Sequence, residues 1–251
     1  MRRCSVIWTA IRAALALSLG ATVATAADCV SDDFEDVPYT SCIIDPAQEQ
    51  LRLFHADTEG QVYGTFDRVN AALAEQGQEI GVAMNGGMYH DDRRPVGLYL
   101  ENGTETMRLV TSEGPGNFGL LPNGVLCIAG NSVRVIETTV FVATTPDCTY
   151  ASQSGPMLVI DGALHPRFRP DSTSRFIRNG VGVRSDGVVV MAISDAPITF
   201  HRFARLMRDA LETPDALYID GNVSRMYAPS LNRHDIGLPM GPILATVVPA
   251  D

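Results

Sequence analysis

The chain has 251 residues, 45% of them hydrophobic, with 29 acidic and 19 basic side chains and a formal charge of −10. Every basic residue other than histidine is an arginine, which removes Schiff-base chemistry and the lysine–phosphate contact of a Walker motif from consideration. The acidic balance excludes a nucleic-acid partner, which needs a basic footprint, and the length fits one domain with a real core.

At the start of the chain, Arg2, Arg3 and Arg12 precede an apolar run from Ala13 to Ala27 that leaves through Ala24-x-Ala26. A basic head, a short apolar stretch and small residues at the exit are the parts of a secretory signal. The run is shorter than the roughly 20 apolar residues of a membrane span. Asp28 ahead of Cys29 argues against a lipid anchor. Residues 1–27 therefore read as a leader, no later stretch is long enough to cross a bilayer, and the mature chain is expected in the periplasm or secreted. Removing three arginines takes the charge from −10 to −13, and removing Cys4 leaves Cys29, Cys42, Cys127 and Cys148. Four cysteines allow three connectivities. Near pairs close short loops, which favours Cys29–Cys42 and Cys127–Cys148, and no Cys-x-x-Cys spacing supports a zinc site.

Residues 28–50 read as an acidic, irregular N-terminal strap, tied down by the first disulfide. Leu51–Ala56 alternates as a strand, and Asp67–Gln76 has helical spacing at Val69, Ala72 and Leu73 with Gly77 as its stop. Ile80–Met84 is a short buried strand that runs into Asn85-Gly86-Gly87. Further strands are expected at Gly97–Glu101, Val125–Ile128 and Val133–Ile136, and a hairpin at Met157–His165 around Asp161-Gly162. Val188–Ser194 is a near-continuous apolar run, as in a strand covered on both faces. Thr199 can cap a helix from Phe200 to Leu211, ended by Pro214, and Ala216–Ile219 is a second buried strand. The expected fold is α/β (α+β): residues 51–251 form a single domain with a mixed twisted sheet, a C-terminal β-α-β unit and flanking helices.

That unit places chemistry. Asp195 and Asp220 follow the two strands, and parallel strands bring both to one sheet edge, where open α/β sheets bind ligands. At ~4.8 Å per strand, neighbours or next-neighbours would set the carboxylates roughly 5–10 Å apart, the window of glycoside-cleaving pairs. The plainer reading makes both turn residues or caps. Glycine-bearing loops at Asn85–His90, Ser154-Gly155-Pro156 and Arg178-Asn179-Gly180 could bring backbone N–H groups to an anion at the same edge. The five histidines show no metal-ligand spacing, and no Gly-x-Ser-x-Gly supports a serine nucleophile. His90, beside Asp91 and Asp92, is the histidine to watch.

Taken in order, these segments resemble the phosphodiester glycosidase family from about Ile80 to Pro242. The resemblance rests on four places: Asn85-Gly86-Gly87-Met88-Tyr89; Gly155-Pro156-Met157-Leu158 with Asp161-Gly162; Arg178-Asn179-Gly180-Val181-Gly182; and Asp220-Gly221-Asn222-Val223-Ser224. Within the family it is most similar to a small uncharacterised bacterial branch with stretches like Met84–Gly97, Gln153–His165 and Ala216–Pro229. Asn222 and Val223 depart from two loop glycines of the family pattern, and Asn179 from a threonine.

The resemblance implies an exported hydrolase of a sugar-1-phosphodiester, N-acetylglucosamine-1-phosphodiester or an envelope glycan. Asp220 would be the main carboxylate and Asp195 the second, with Arg178 and the loop N–H groups of Gly86, Gly87 and Gly155 on the phosphate. Asn85, Tyr89, His90 and Ser224 would orient sugar hydroxyls, with Gln153 and Asn179 as secondary candidates. No cofactor or metal is required. Calcium among the acidic loops is a weak alternative, since the twelve-residue ligand loop is missing. Two rival readings keep a carbohydrate or sugar-phosphate partner: a hydrolase of ordinary glycosides or other envelope phosphodiesters, and a non-catalytic glycan-binding module. The loss of Trp8, the only tryptophan, with the leader weakens the binding module.

Overall fold

The computed structural model describes residues 27–220 and 223–250, so the expected leader, apart from Ala27, lies outside the described residues. The chain opens with β1 (Asp28–Phe34), β2 (Val37–Ile44) and β3 (Gln50–Phe54), then helix α1 (Phe66–Ala74) and β4 (Gln78–Asn85). There follow β5 (Tyr99–Glu101), β6 (Thr104–Met107), β7 (Gly124–Ala129), β8 (Ser132–Glu137) and helix α2 (Thr138–Thr144). Next come β9 (Tyr150–Ser154), β10 (Met157–Ile160), β11 (Ala163–Leu164), β12 (Asn179–Val183) and β13 (Val189–Ser194). Helix α3 (Phe200–Arg205), β14 (Asp215–Asp220), β15 (Met226–Ala228), β16 (Arg233–His234) and β17 (Ile243–Pro249) complete it.

The α+β class holds, and the strands divide among three sheets in place of one. Their orders are β1-β2-β13-β12-β14-β10-β11, β16-β15-β4-β17-β3 and β6-β5-β9-β7-β8. Neighbouring strands of the described residues pair antiparallel throughout. The β13–α3–β14 unit is present, and its two strands do run parallel. They are next-neighbours, because β12 stands between them and is antiparallel to both.

The apolar run of β13 shows why both faces of this sheet are dry. Val189, Met191 and Ile193 point into the core shared with the five-stranded sheets, while Val190 and Ala192 point under α3. Thr199 caps α3 by accepting from Arg202 N at 3.2 Å, and Phe203 and Ala204 are buried beneath it. Each fully buried side chain such as Phe203 contributes roughly 1.5–3 kcal/mol. The helix expected to run to Leu211 keeps α geometry only to Arg205. It then widens into a π-type turn, Leu206–Ala210, that seats Leu206 and Met207 in the same core. On the far side, Thr65 caps α1, and Phe66, Val69 and Leu73 cover β4 and β17.

The N-terminal strap corrects the sequence reading. Residues 28–44 form a regular hairpin in which Cys29 faces Cys42, and β2 pairs β13 inside the seven-stranded sheet. The acidic residues sit on β1, an edge strand whose solvent exposure hides any alternation. Both expected disulfides are formed, Cys29–Cys42 and Cys127–Cys148. No described helix is long and apolar enough to cross a membrane.

Candidate active site

The seven-stranded sheet meets the sheet of β4 at one edge, and there three polar side chains come together. Asn85 ends β4, Asn179 opens β12 and Asp220 ends β14; all three are buried. The pairing of β12 with β14 slips here, so that Asn179 faces Asp220 while Gly180 faces Tyr218. Two residues of β14 thus oppose one of β12, a bulge that takes the Asp220 N–H out of the ladder. The Asn179 side chain replaces the missing partner: its Oδ1 accepts from Asp220 N at 2.8 Å. Its Nδ2 donates to Asn85 Oδ1 at 2.9 Å, which also accepts the Arg225 N–H at 2.8 Å. Asn85 Nδ2 in turn donates to the Val223 carbonyl and reaches Asp220 Oδ2 at 3.5 Å. Two amides therefore hold Asp220, Asn85 at its carboxylate and Asn179 at its backbone N–H.

Asp220 lines a cleft of about 450 Å³. Tyr218 and Val223 stand beside it, and Asn117, Leu238 and Pro239 form the opposite lip. The remaining wall is the loop after β4, which contributes Met88, Tyr89, His90, Asp91 and Arg93. That loop is ordered by its own bonds, His90 N to Arg94 O at 2.9 Å and Val96 N to Met88 O at 3.0 Å. His55 holds its tip through the Arg93 carbonyl at 2.9 Å. Burial, and then the nearby Asp220 carboxylate, push the Tyr89 phenol above its ordinary pKa. The same two causes push Tyr218 up, with the Arg178 charge opposing them. Both phenols are thus neutral donors at physiological pH.

Tyr89, His90 and Asp220 sit on the cleft as the sequence reading expects. Other expected residues lie elsewhere. Arg178 is buried behind Tyr218: its Nε donates to Ile198 O at 2.9 Å, its Nη2 to Ser174 O at 3.3 Å, and its guanidinium stacks 3.5 Å from the centre of the Phe200 ring. Asp195 does share the sheet edge, yet Arg233 takes its carboxylate at 2.6 Å and Thr40 donates to it at 2.8 Å. It pins the ends of β13 and β2 to β16 and is not among the residues lining the cleft. Gln153 has both amide atoms engaged, by Leu98, Val110 and Thr138, and braces β9 against its neighbours.

Ser224 Oγ donates to the carbonyls of Asp220 and Ile177, so it is engaged with the backbone. Gly86 and Gly87 serve packing: a Cβ on Gly86 would lie 2.7 Å from the backbone of Ile243 and Leu244, and one on Gly87 2.4 Å from Ser152 Oγ. Gly155 likewise packs on Asn123. Sequence reasoning missed Tyr218, Asn117, Arg93 and Arg225. Only Tyr218 left a local signal, two residues before Asp220 on the same strand. Among the described residues no three or more His, Cys, Asp or Glu gather as a metal site.

The family model described as phosphodiester glycosidase matches residues 78–240, a span that takes in β4, β12, β14 and every residue of this cleft. The chain belongs to the phosphodiester glycosidase family. Its family relatives include the uncharacterised protein YigE of Escherichia coli (strain K12), 35% identical over 213 residues, covering 85% of this chain and 83% of that one. In fold it is similar to the catalytic domain of zebrafish N-acetylglucosamine-1-phosphodiester alpha-N-acetylglucosaminidase, auto-inhibited by its pro-peptide. That match has a TM-score of 0.62 at 11% identity, over 87% of this chain and 82% of the other. A hypothetical protein from Synechocystis matches with a TM-score of 0.56 at 12% identity, over 88% of this chain and 62% of that one. At these identities the likeness to solved structures is one of fold.

Proposed function

We propose that this protein is an exported hydrolase of the glycosidic bond in a sugar-1-phosphodiester, with N-acetylglucosamine as the first sugar to try. The observation that carries this reading is Asp220, held at its carboxylate by Asn85 and at its backbone N–H by Asn179 on the wall of a polar cleft in a phosphodiester glycosidase chain. The named substrate of the zebrafish relative supplies the choice of sugar. Two disulfides and the leader-like residues 1–27 fit a life outside the cytoplasm.

In this mechanism the bond between the anomeric carbon and the phosphate oxygen breaks, and the phosphate leaves with the electron pair. A phosphate departs as a stable anion, so no acid has to protonate it and a second carboxylate is unnecessary. Asp220 faces the positive charge that develops at the anomeric carbon and takes the proton of the attacking water. His90 contacts sugar hydroxyls, and Arg93 lends the cleft wall positive charge.

The test is turnover by purified Asp28–Asp251 on a panel of N-acetylglucosamine-1-phosphodiesters, with free sugar as the readout. Wild type should release sugar, and Asp220→Asn should lose on the order of 10²- to 10⁴-fold in kcat. Silence across the panel from a folded, disulfide-bonded protein, or full activity in Asp220→Asn, would overturn the reading.

A further inference from the structure

Arg225 stands beside this site, feels the charge of Asp235 and forms no salt bridge among the described residues. Its backbone N–H is fixed to Asn85 Oδ1, so its Cα is locked to the network that holds Asp220. The side chain is 7% exposed, and among the described residues its guanidinium makes no hydrogen bond or ion pair. The Asp235 carboxylate is already committed, accepting from Arg233 at 2.9 Å and from Met226 N at 2.9 Å.

The chain is nevertheless shaped around this group. Gly237 lies directly on the guanidinium, and a Cβ there would stand 2.6 Å from Arg225 Nη2. The next two residues, Leu238 and Pro239, line the cleft. On the other side the Arg225 charge acts on Tyr89, whose hydroxyl is likewise buried with no partner among the described residues. A nearly buried arginine whose guanidinium makes no hydrogen bond among the described residues, coupled to a buried phenol O–H without an acceptor on the cleft wall, is a mismatch that folding alone would remove. A ligand with several acceptor oxygens and negative charge resolves it.

We propose that Arg225 and the Tyr89 hydroxyl form the anion subsite of the cleft, taking the tetrahedral phosphate oxyanion of the ligand. The identification of that oxyanion with the phosphate of a sugar-1-phosphodiester rests on the function proposed above; the subsite itself does not. Arg178 donates to two carbonyls and stacks on Phe200, keeps a buried Nη1 without a partner among the described residues, and does not line the cleft. It is then a positioning residue for Tyr218, and the phosphate meets the arginine that follows β14, whose charge acts on Tyr89 of the cleft wall. With the sugar centre over Asp220, a phosphate on Arg225 points the leaving side of the substrate toward Gly237 and Leu238.

The experiment is calorimetric titration of the purified protein with inorganic phosphate at constant ionic strength, chloride serving as the reference. Wild type should bind phosphate. Arg225→Gln should bind it on the order of tenfold or more weakly, Arg225→Lys should recover part of the loss, and Tyr89→Phe should lose several-fold. Circular dichroism on each variant keeps folding separate from binding; if Arg225→Gln does not fold, Arg225→Lys and Tyr89→Phe decide alone. Absence of phosphate binding in wild type, or wild-type affinity in the folded variants, overturns the subsite. Phosphate bound through Arg225 without sugar release from any phosphodiester keeps the subsite and sinks the glycosidase reading. Sugar release at wild-type KM by Arg225→Gln does the reverse.

Discussion

Truncating Asn179 to alanine tests whether two amides hold Asp220. In the folded chain Asn179 Oδ1 accepts from Asp220 N at 2.8 Å and its Nδ2 donates to Asn85 Oδ1 at 2.9 Å, with the side chain fully buried. In Asn179→Ala the bulged Asp220 N–H loses its acceptor inside the protein, whereas Asn85 Oδ1 keeps the Arg225 N–H. One buried orphan donor costs about 1–3 kcal/mol, and the lost second bond adds about 1 kcal/mol, for a total of roughly 2–4 kcal/mol. For a chain of this length each kcal/mol shifts Tm by about 2–4 °C, so a fall of roughly 5–15 °C is expected. Melting followed by circular dichroism is the assay, because Trp8 is the only tryptophan and lies outside Asp28–Asp251. Turnover should fall as well, with kcat more affected than KM, since the backbone that carries the carboxylate shifts while the cleft wall stays in place. A double cycle with Asn85→Ala should be non-additive. A Tm within about 1 °C of wild type, with unchanged kcat, would refute the amide ladder as the device that aims Asp220.

Two further outcomes are expected. Gly86→Ala drives a Cβ to 2.7 Å from the backbone of Ile243 and Leu244, so β17 must shift, and urea unfolding should show a loss of about 1–3 kcal/mol or more. Burial holds the pKa of His165 below the ordinary histidine value. The unfolded chain then binds the proton first, so the contribution of this residue is intact above about pH 6.5 and lost as pH falls toward the depressed value. Urea midpoints measured from pH 7.5 to 5 should fall more steeply in wild type than in His165→Leu, and equal slopes would refute the assignment.

Local pattern carried a large part of the fold. The apolar run of β13, the Thr199 cap, the stripe of α3 and the stop at Pro214 each obey a rule that spans only a few residues, and all four are present. The insertion of β12 between β13 and β14 obeys no such rule, because strand order is set by long-range pairing. The hairpin of β1 and β2 was hidden for a different reason. One strand is an exposed edge and the other is covered on both faces, so neither alternates. At the site, Asp220, Tyr89 and His90 were legible because short motifs flank them. Asn85 was expected at the sugar and Asn179 as a secondary candidate; that the two bond each other beside Asp220 could not be read in the sequence, because their hydrogen bond joins residues 94 positions apart. Arg225 carries no local mark at all. What singles it out is the absence of a partner, which only the packed chain reveals.

The two disulfides close spans of 13 and 21 residues, each within a single sheet or at its margin. The bonds that assemble the cleft join residues 94 and 135 positions apart across two sheets. Cross-linking therefore secures the parts and leaves their meeting to noncovalent packing. A thiol titration would pass a chain whose sheets never docked. Docking of the sheets, rather than oxidation state, is the true certificate of a native chain, and substitutions at the seam should yield molecules that are correctly bridged yet lack the assembled cleft.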